Sequence, residues 1–112
     1  MTNDRLFSTR MVELNENTRM TLRYYIREFT TGTNTTYGVK IEKYLQKTDY
    51  DMELTEENAT PGLCQSPALT EKLLLRLSEG TVTPMALHEI IEENICWLRG
   101  DHQCAAKNLQ AI

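Results

Sequence analysis

Long apolar stretches are missing from this sequence of 112 residues, and no segment reaches the length that a membrane-spanning helix needs. The first residues read Met-Thr-Asn-Asp-Arg-Leu-Phe and contain no apolar core of a secretory signal peptide. Cysteine is scarce, and Cys64, Cys96 and Cys104 form no paired pattern, which indicates free thiols in a reducing compartment. These absences predict a cytoplasmic protein that does not enter a membrane.

Motifs of catalysis and cofactor binding are absent as well. The five glycines are isolated, so the sequence contains no glycine-rich phosphate loop, and it contains no nucleophile elbow. His88 and Cys96 lie too far apart to be adjacent ligands on a helix, and His102-x-Cys104 is not a usual zinc pair. We therefore expect no metal site, no cofactor and no catalytic residues, and we predict that the protein is not an enzyme.

Charge is distributed unevenly along the chain, which has a net charge of −4. Residues 1–48 contain eight Lys or Arg and five Asp or Glu, a balance of +3, whereas residues 49–112 contain four and eleven, a balance of −7. One interpretation is a basic sheet face and acidic helices, both solvated. The other is two faces for different partners, or an acidic face that docks on a basic surface.

Alternating apolar residues predict β-strands in the first half of the chain. Leu22, Tyr24 and Ile26 alternate with charged or aromatic neighbours, and Val39 and Ile41 do so in the next segment. The predicted order is a frayed start over residues 1–9, a short strand over 10–14, a turn over 15–17, strands over 19–29 and 37–45 joined by a turn of several residues over 30–36, a strand over 50–55, and a loop over 56–65.

Two helices are predicted in the second half, each starting with a capping residue followed by proline. Ser66-Pro67 begins the first and Gly80 ends it, whereas Thr83-Pro84 begins the second, which runs to residue 99 before Gly100. The sequence thus predicts one α+β domain over residues 1–112. It contains an antiparallel β-meander of three to four strands over 10–55, followed by two C-terminal helices over 66–99 packed on one face. Residues 101–112 form a tail or a short extra helix.

Two segments carry a resemblance to a known family. They are Tyr-Gly-Val-Lys-Ile-Glu-Lys over residues 37–43 and Val-Thr-Pro-Met-Ala-Leu-His-Glu-Ile-Ile-Glu-Glu over residues 82–93. Together they resemble a family of small uncharacterised proteins from anaerobic Gram-positive bacteria. The resemblance covers roughly residues 20 to 95 and implies no activity.

Our leading functional prediction is a small non-catalytic protein-binding module that acts as a regulator or inhibitor. A homodimer is one of the forms that this prediction includes. This class includes a phage or mobile-element inhibitor of a nucleic-acid-processing enzyme such as a CRISPR nuclease. Tryptophan is over-represented among the residues that dominate interface energies, and exposed carboxylates can dock on basic surfaces. The candidate contact residues are Trp97, Leu75, Glu89, Glu92 and Glu93.

The alternative prediction is a nucleic-acid-binding protein that uses one face of the hairpin. Arg23, Arg27 and Lys40 would neutralise phosphates, and Tyr25 would stack on a base. The net charge of −4 argues against this alternative. We therefore expect a protein partner of unknown identity rather than nucleic acid.

Overall fold

Four strands and two helices make up the fold of the described residues. The computed structural model describes the backbone of residues 1–98 and the side chains of residues 1–93. The elements are β1 (Thr2–Asn15), β2 (Thr18–Thr31), β3 (Asn34–Lys47), β4 (Glu53–Ala59), α1 (Pro67–Glu79), a 3₁₀ turn (Pro84–Ala86) and α2 (Leu87–Leu98). The strands form one antiparallel sheet in the order β1-β2-β3-β4. This arrangement confirms the predicted α+β fold, a meander followed by two C-terminal helices.

The β2–β3 hairpin has the faces that the alternation predicts. Leu22, Tyr24, Val39 and Ile41 are completely buried, and they pack against leucines of α1 in a single core. The turn is shorter than the prediction, because Thr31 pairs directly with Asn34 and only residues 32 and 33 lie between the strands. Position 32 is a glycine with φ of 58°, which fits the first central position of a tight hairpin turn.

β1 corrects the prediction of a frayed start over residues 1–9. The strand begins at Thr2, and Met1 and Thr30 exchange two hydrogen bonds of 3.0 and 2.9 Å. The predicted short strand over residues 10–14 is the C-terminal part of β1, and alternation failed to reveal the first part for two reasons. Its helix-facing positions include the polar residues Ser8 and Arg10, and a bulge near residue 7 interrupts the period of two.

Side chains of β1 join the sheet to α1 by polar contacts rather than apolar ones. Ser8 Oγ lies 2.7 Å from Ser78 Oγ, and Arg10 Nε donates to the carbonyl oxygen of Ser78 at 3.0 Å. Arg5 forms an ion pair of 3.4 Å with Glu71. These contacts place α1 over β1 and the neighbouring β2.

β4 lies further along the chain than predicted. The alternating side chains of Tyr50 and Met52 precede the strand, and Tyr50 is 71% exposed. The strand instead continues to Ala59, into the segment that the sequence analysis assigned to a loop. Its polar side chains make specific contacts, since Asn58 Nδ2 donates to the carbonyl oxygen of Pro84 at 3.2 Å.

α1 begins and ends as predicted. The Ser66 hydroxyl accepts a hydrogen bond from the backbone N–H of Leu69 at 3.2 Å, and Gly80 N–H donates to the Arg76 carbonyl at 3.0 Å. Leu73, Leu74 and Leu77 are buried against the sheet. The helix therefore packs on the sheet through these three leucines.

The second helix starts differently from the prediction. Thr83 does not cap it with its hydroxyl; instead its carbonyl accepts from Ala86 N–H at 3.1 Å, which closes a 3₁₀ turn. α2 then begins at Leu87, which is fully buried, and Ile91 is 6% exposed. The cap prediction is thus wrong, because the Thr83 hydroxyl makes no capping hydrogen bond. The predicted end at Gly100 and the segment over 101–112 lie outside the described residues.

Candidate functional site

The sheet has one face packed against the helices and a second face, called here the open face, on which no helix or strand of residues 1–98 packs. Residues directly paired across antiparallel strands point to the same side, so the register identifies the members of this face. Its charged and large side chains are Asp4, Leu6, Met11, Glu13, Arg19, Arg23, Tyr25, Arg27, Phe29, Lys40, Glu42, Tyr44, Leu54 and Glu57.

Glu42 lies at the centre of the open face and is nevertheless only 9% exposed. Its Oε1 atom accepts hydrogen bonds from the hydroxyls of Tyr25 at 2.7 Å and Tyr44 at 2.9 Å. Its Oε2 atom lies 3.4 Å from Lys40 Nζ. The two tyrosines and the lysine therefore surround the carboxylate and shield it from solvent.

The pKa values of this cluster are displaced away from neutrality. Burial raises the pKa of Glu42, but the hydrogen bonds from Tyr25 and Tyr44 and the charge of Lys40 outweigh it, so the pKa is lowered overall. Burial and the bond to Glu42 raise the pKa of Tyr25 to about 12. General acid–base catalysis needs groups that titrate near the working pH. The pKa of Glu42 is shifted down and that of Tyr25 is shifted up, so both shifts move titration away from neutral pH.

The four residues of the nucleic-acid prediction all lie on the open face, and each is engaged within it. Arg27 binds Asp4 through two contacts of 2.7 and 3.0 Å, and Lys40 lies within 4.0 Å of Asp4, Glu42 and Glu57. The guanidinium of Arg23 stacks 4.8 Å above the ring centroid of Tyr44. Tyr25 donates to Glu42, as described above. These contacts leave the cationic groups occupied by partners inside the protein.

The prediction of a basic sheet face is wrong, because the edge strands supply carboxylates that the hairpin alone lacks. β1 contributes Asp4 and Glu13, and β4 contributes Glu57. With Glu42 they equal in number the four basic residues of the face, namely Arg19, Arg23, Arg27 and Lys40. The open face is therefore charge-balanced.

The candidates for protein contact lie on the helices, at two separate places. Leu75 is 50% exposed on the flank of α1 that faces β1. Glu89, Glu92 and Glu93 are exposed on α2, which starts at the opposite edge of the sheet beside β4. The side chain of Trp97 lies outside the described residues.

Metal-ligating side chains are not grouped in the part of the chain that the structure describes, where no three His, Cys, Asp or Glu residues could hold an ion together. Cys64 is a free thiol beside Thr70 Oγ1 at 3.3 Å, and His88 is exposed. The side chain of Cys96 and residues 102 and 104 lie outside the described residues. No helix between residues 1 and 98 combines the length and the apolar character that crossing a membrane requires.

Sequence reasoning missed the central role of Glu42 and the contributions of Asp4 and Glu57. The signal that could have identified the role of Glu42 is the hairpin register. A two-residue turn at Gly32 places Arg23 opposite Glu42 and Tyr25 opposite Lys40. The sequence pattern instead predicts a turn of several residues over 30–36, and a turn of that length does not determine which residues of the two strands are paired.

Acidification is expected to destabilise the fold through Glu42 and Asp4. The bonds from Arg27 lower the pKa of Asp4 against the effect of burial, and the pKa of Glu42 is lowered as well. Both groups therefore contribute stability above the unfolded-state pKa, about 4, and this contribution is lost as the pH falls through the folded-state values. Denaturant midpoints measured from neutral pH downward should fall less steeply for Glu42→Gln than for wild type, whereas Glu16→Gln, at an exposed turn, should match wild type. Equal slopes for wild type and Glu42→Gln would contradict this account.

Comparison with known proteins identifies one family. No curated protein and no solved structure matches this chain. A family model described as a family of unknown function (DUF6514) matches residues 3–96, which is most of the sequence and nearly all of the described fold. The chain therefore belongs to this family of unknown function, DUF6514.

Proposed function

We propose that this protein is a non-catalytic protein-binding module that contacts another protein through the open face of its sheet. The observation that carries the proposal is the ordered, charge-balanced cluster around Glu42, next to the exposed side chain of Leu54 (46%). Leu54 pairs directly with Tyr44, so an apolar group adjoins the aromatic cluster on the same side of the sheet.

The chemistry of this surface suits a protein partner. Tyrosine and arginine are enriched among the residues that dominate binding energies, and a tyrosine presents a large contact area with few rotatable bonds. Glu42 holds the hydroxyls of Tyr25 and Tyr44, and the ring of Tyr44 supports Arg23. Because these side chains are already ordered, binding would cost less side-chain entropy.

The same contacts support protein over nucleic acid as the partner. Phosphate binding would have to separate Arg27 from its bidentate bonds to Asp4 and Lys40 from Glu42. The balanced charge of the face also removes the general attraction for polyanions. The displaced pKa values of Glu42 and Tyr25 support a binding role rather than acid–base chemistry.

A regulator or inhibitor is a narrower role within the proposed class. The exposed carboxylates of Glu89, Glu92 and Glu93 on α2 offer a second, acidic surface. It would complement a basic surface such as that of a nucleic-acid-processing enzyme, and salt would weaken such a contact. The cytoplasmic location and the anaerobic Gram-positive origin stay predictions, and the latter determines the host for the experiment.

The test is capture by the immobilised full chain from a nuclease-treated host lysate, followed by binding measurements with the purified candidate. Leu54→Asp places a charge on the open face, whereas Met85→Asp makes the same change at an 81% exposed residue beside the helices. We expect a saturable protein partner whose dissociation constant rises about tenfold or more with Leu54→Asp, because a charge is buried without a counterion. Met85→Asp should bind like wild type.

Two results would overturn the proposal. One is enrichment of nucleic acid, without any saturable protein partner, when nuclease is omitted. The other is a partner that binds Leu54→Asp as tightly as wild type, which would move the contact away from the open face.

A further inference from the structure

Exposed apolar side chains border the outer edge of β1 on both sides of the sheet. On the open face these are Leu6, 51% exposed, and Met11, 66% exposed. On the helix side it is Leu75, 50% exposed, which lies between Glu71 and Ser78 on the flank of α1. Those two neighbours contact Arg5 and Ser8 of β1, so Leu75 lies beside the same edge.

Alternate residues of this edge direct their backbone N–H and C=O groups away from the sheet, where no other strand of residues 1–98 pairs with them. Met1 and Thr30 exchange two hydrogen bonds, and in an antiparallel pair every second residue bonds to the neighbouring strand. Arg5 therefore bonds to β2, whereas Asp4 and Leu6 point their backbone N–H and C=O groups outward. Beyond the bulge the alternation shifts by one residue. There Thr9 and Met11, followed by Glu13, point outward.

We propose that β1 pairs with β1 of a second copy of this chain, antiparallel, about a two-fold axis at Thr9. The bulge inserts one residue between Leu6 and Thr9, and this insertion brings the outward-pointing residues of the two copies into register. Thr9 meets Thr9 of the second copy, Leu6 meets Met11, and Asp4 meets Glu13. The four-stranded sheets that residues 1–98 of the two copies form become one eight-stranded sheet.

The self-pairing joins apolar to apolar side chains at the two positions where β1 exposes them on the open face. Five outward pairs would exchange about ten hydrogen bonds, similar to the number in a typical protein–protein interface. The opposed carboxylates are already compensated, since Asp4 binds Arg27 at 2.7 Å and Glu13 lies 3.4 Å from Arg19. Leu75 of each copy lies on the helix side of the same seam.

The two edges of the sheet differ in how well they are protected from such pairing. β4 is 7 residues long and carries Glu53, Glu56 and Glu57, which are features that discourage strand addition. β1 is 14 residues long, which is twice the length of β4. The length of β1 thus favours it over β4 as the site of strand addition.

This inference is independent of the proposed function, because edge pairing leaves the open faces of both copies uncovered. The first test is the mass of the full chain in solution by sedimentation or light scattering across a concentration series. We expect about 26 kDa, twice the 13.0 kDa of one chain.

Thr9→Pro removes an outward N–H at the axis without removing a β1–β2 bond, and Leu6→Lys adds a charge opposite Met11. Each should raise the dimer dissociation constant about tenfold or more. Leu54→Lys, beside the other edge, should have no effect.

The second test measures the register by disulfide cross-linking in a background with Cys64, Cys96 and Cys104 replaced by serine. Thr9→Cys should form a disulfide-linked dimer efficiently under mild oxidation, because the two copies of position 9 are direct neighbours. Met11→Cys is the matched control, since its two copies would lie about 13 Å or more apart along the seam. A monomeric mass at all concentrations would overturn the proposal. So would a dimer that cross-links through position 11 as efficiently as through position 9.

Discussion

Leu74→Ala is expected to lower the free energy of unfolding by about 2–5 kcal/mol, whereas Leu75→Ala should change it by no more than about 0.5 kcal/mol. The two leucines are consecutive in α1 and have the same helix propensity, but Leu74 is completely buried and Leu75 is 50% exposed. The first substitution leaves a cavity where α1 packs on the sheet. The second removes a side chain that is half exposed to solvent.

Denaturant unfolding followed by far-ultraviolet circular dichroism measures this difference. The experiment should be done at a concentration at which the chain is monomeric, because Leu75 borders the proposed seam between two copies. Equal losses for the two variants would show that α1 packs on the sheet through a different face. A loss confined to Leu75→Ala would reverse the assignment of the buried stripe.

The elements that the sequence predicts well are those in which local pattern and tertiary packing coincide. Leu22, Tyr24 and Ile26 alternate because one face of β2 is buried, and Ser66 and Gly80 delimit α1 through local hydrogen bonds. In each case the deciding interaction lies within a few residues of the pattern. Such signals are visible without knowledge of the fold.

The segments that were missed depend on contacts distant in the chain. β1 faces the helix with Arg5, Ser8 and Arg10, whose partners in α1 are more than sixty positions away. Residues of this polarity do not indicate a buried strand until the helix is in place. The predicted Thr83 cap failed for a local reason, because Pro84 leads into a 3₁₀ turn that uses the carbonyl instead of the hydroxyl.

The candidate site was recognised only in part for the same reason. Arg23, Tyr25, Arg27 and Lys40 could be assigned to one face from the alternation of two strands. The carboxylates of the edge strands could not, because Asp4 belongs to the part of β1 that was predicted to be frayed and Glu57 to a strand predicted too early in the chain. A surface that appears basic in one hairpin is balanced in the complete sheet, and this changes the class of partner that it favours.

Gly38 lies in the Tyr-Gly segment over residues 37–43, and the structure gives a steric reason why a larger residue would not fit at this position. A Cβ atom at this position would lie 2.5 Å from the carbonyl oxygen of Pro61 and 2.6 Å from Thr60 Oγ1. The neighbouring chain cannot easily move away. Thr60 and Val39 are joined by two hydrogen bonds of 2.9 and 3.0 Å, and Leu63 N–H donates to the Tyr37 carbonyl at 2.8 Å.

Gly38→Ala is therefore expected to lower the free energy of unfolding by about 2–3 kcal/mol, at the upper end of the usual cost of overpacking, because the obstructing atoms include backbone. Gly80→Ala is the matched control. Its φ is −83°, and the nearest atom to an added Cβ is the Arg76 carbonyl oxygen at 3.4 Å, so it should stay within about 0.5 kcal/mol of wild type. Denaturant midpoints of the two variants measure the difference.

Hydrogen exchange should also show faster exchange of the Val39 and Leu63 amides in Gly38→Ala, because the added methyl group separates β3 from the segment over residues 60–63. If Gly38→Ala were as stable as wild type with both amides still protected, the close approach at this glycine would not contribute to the fold.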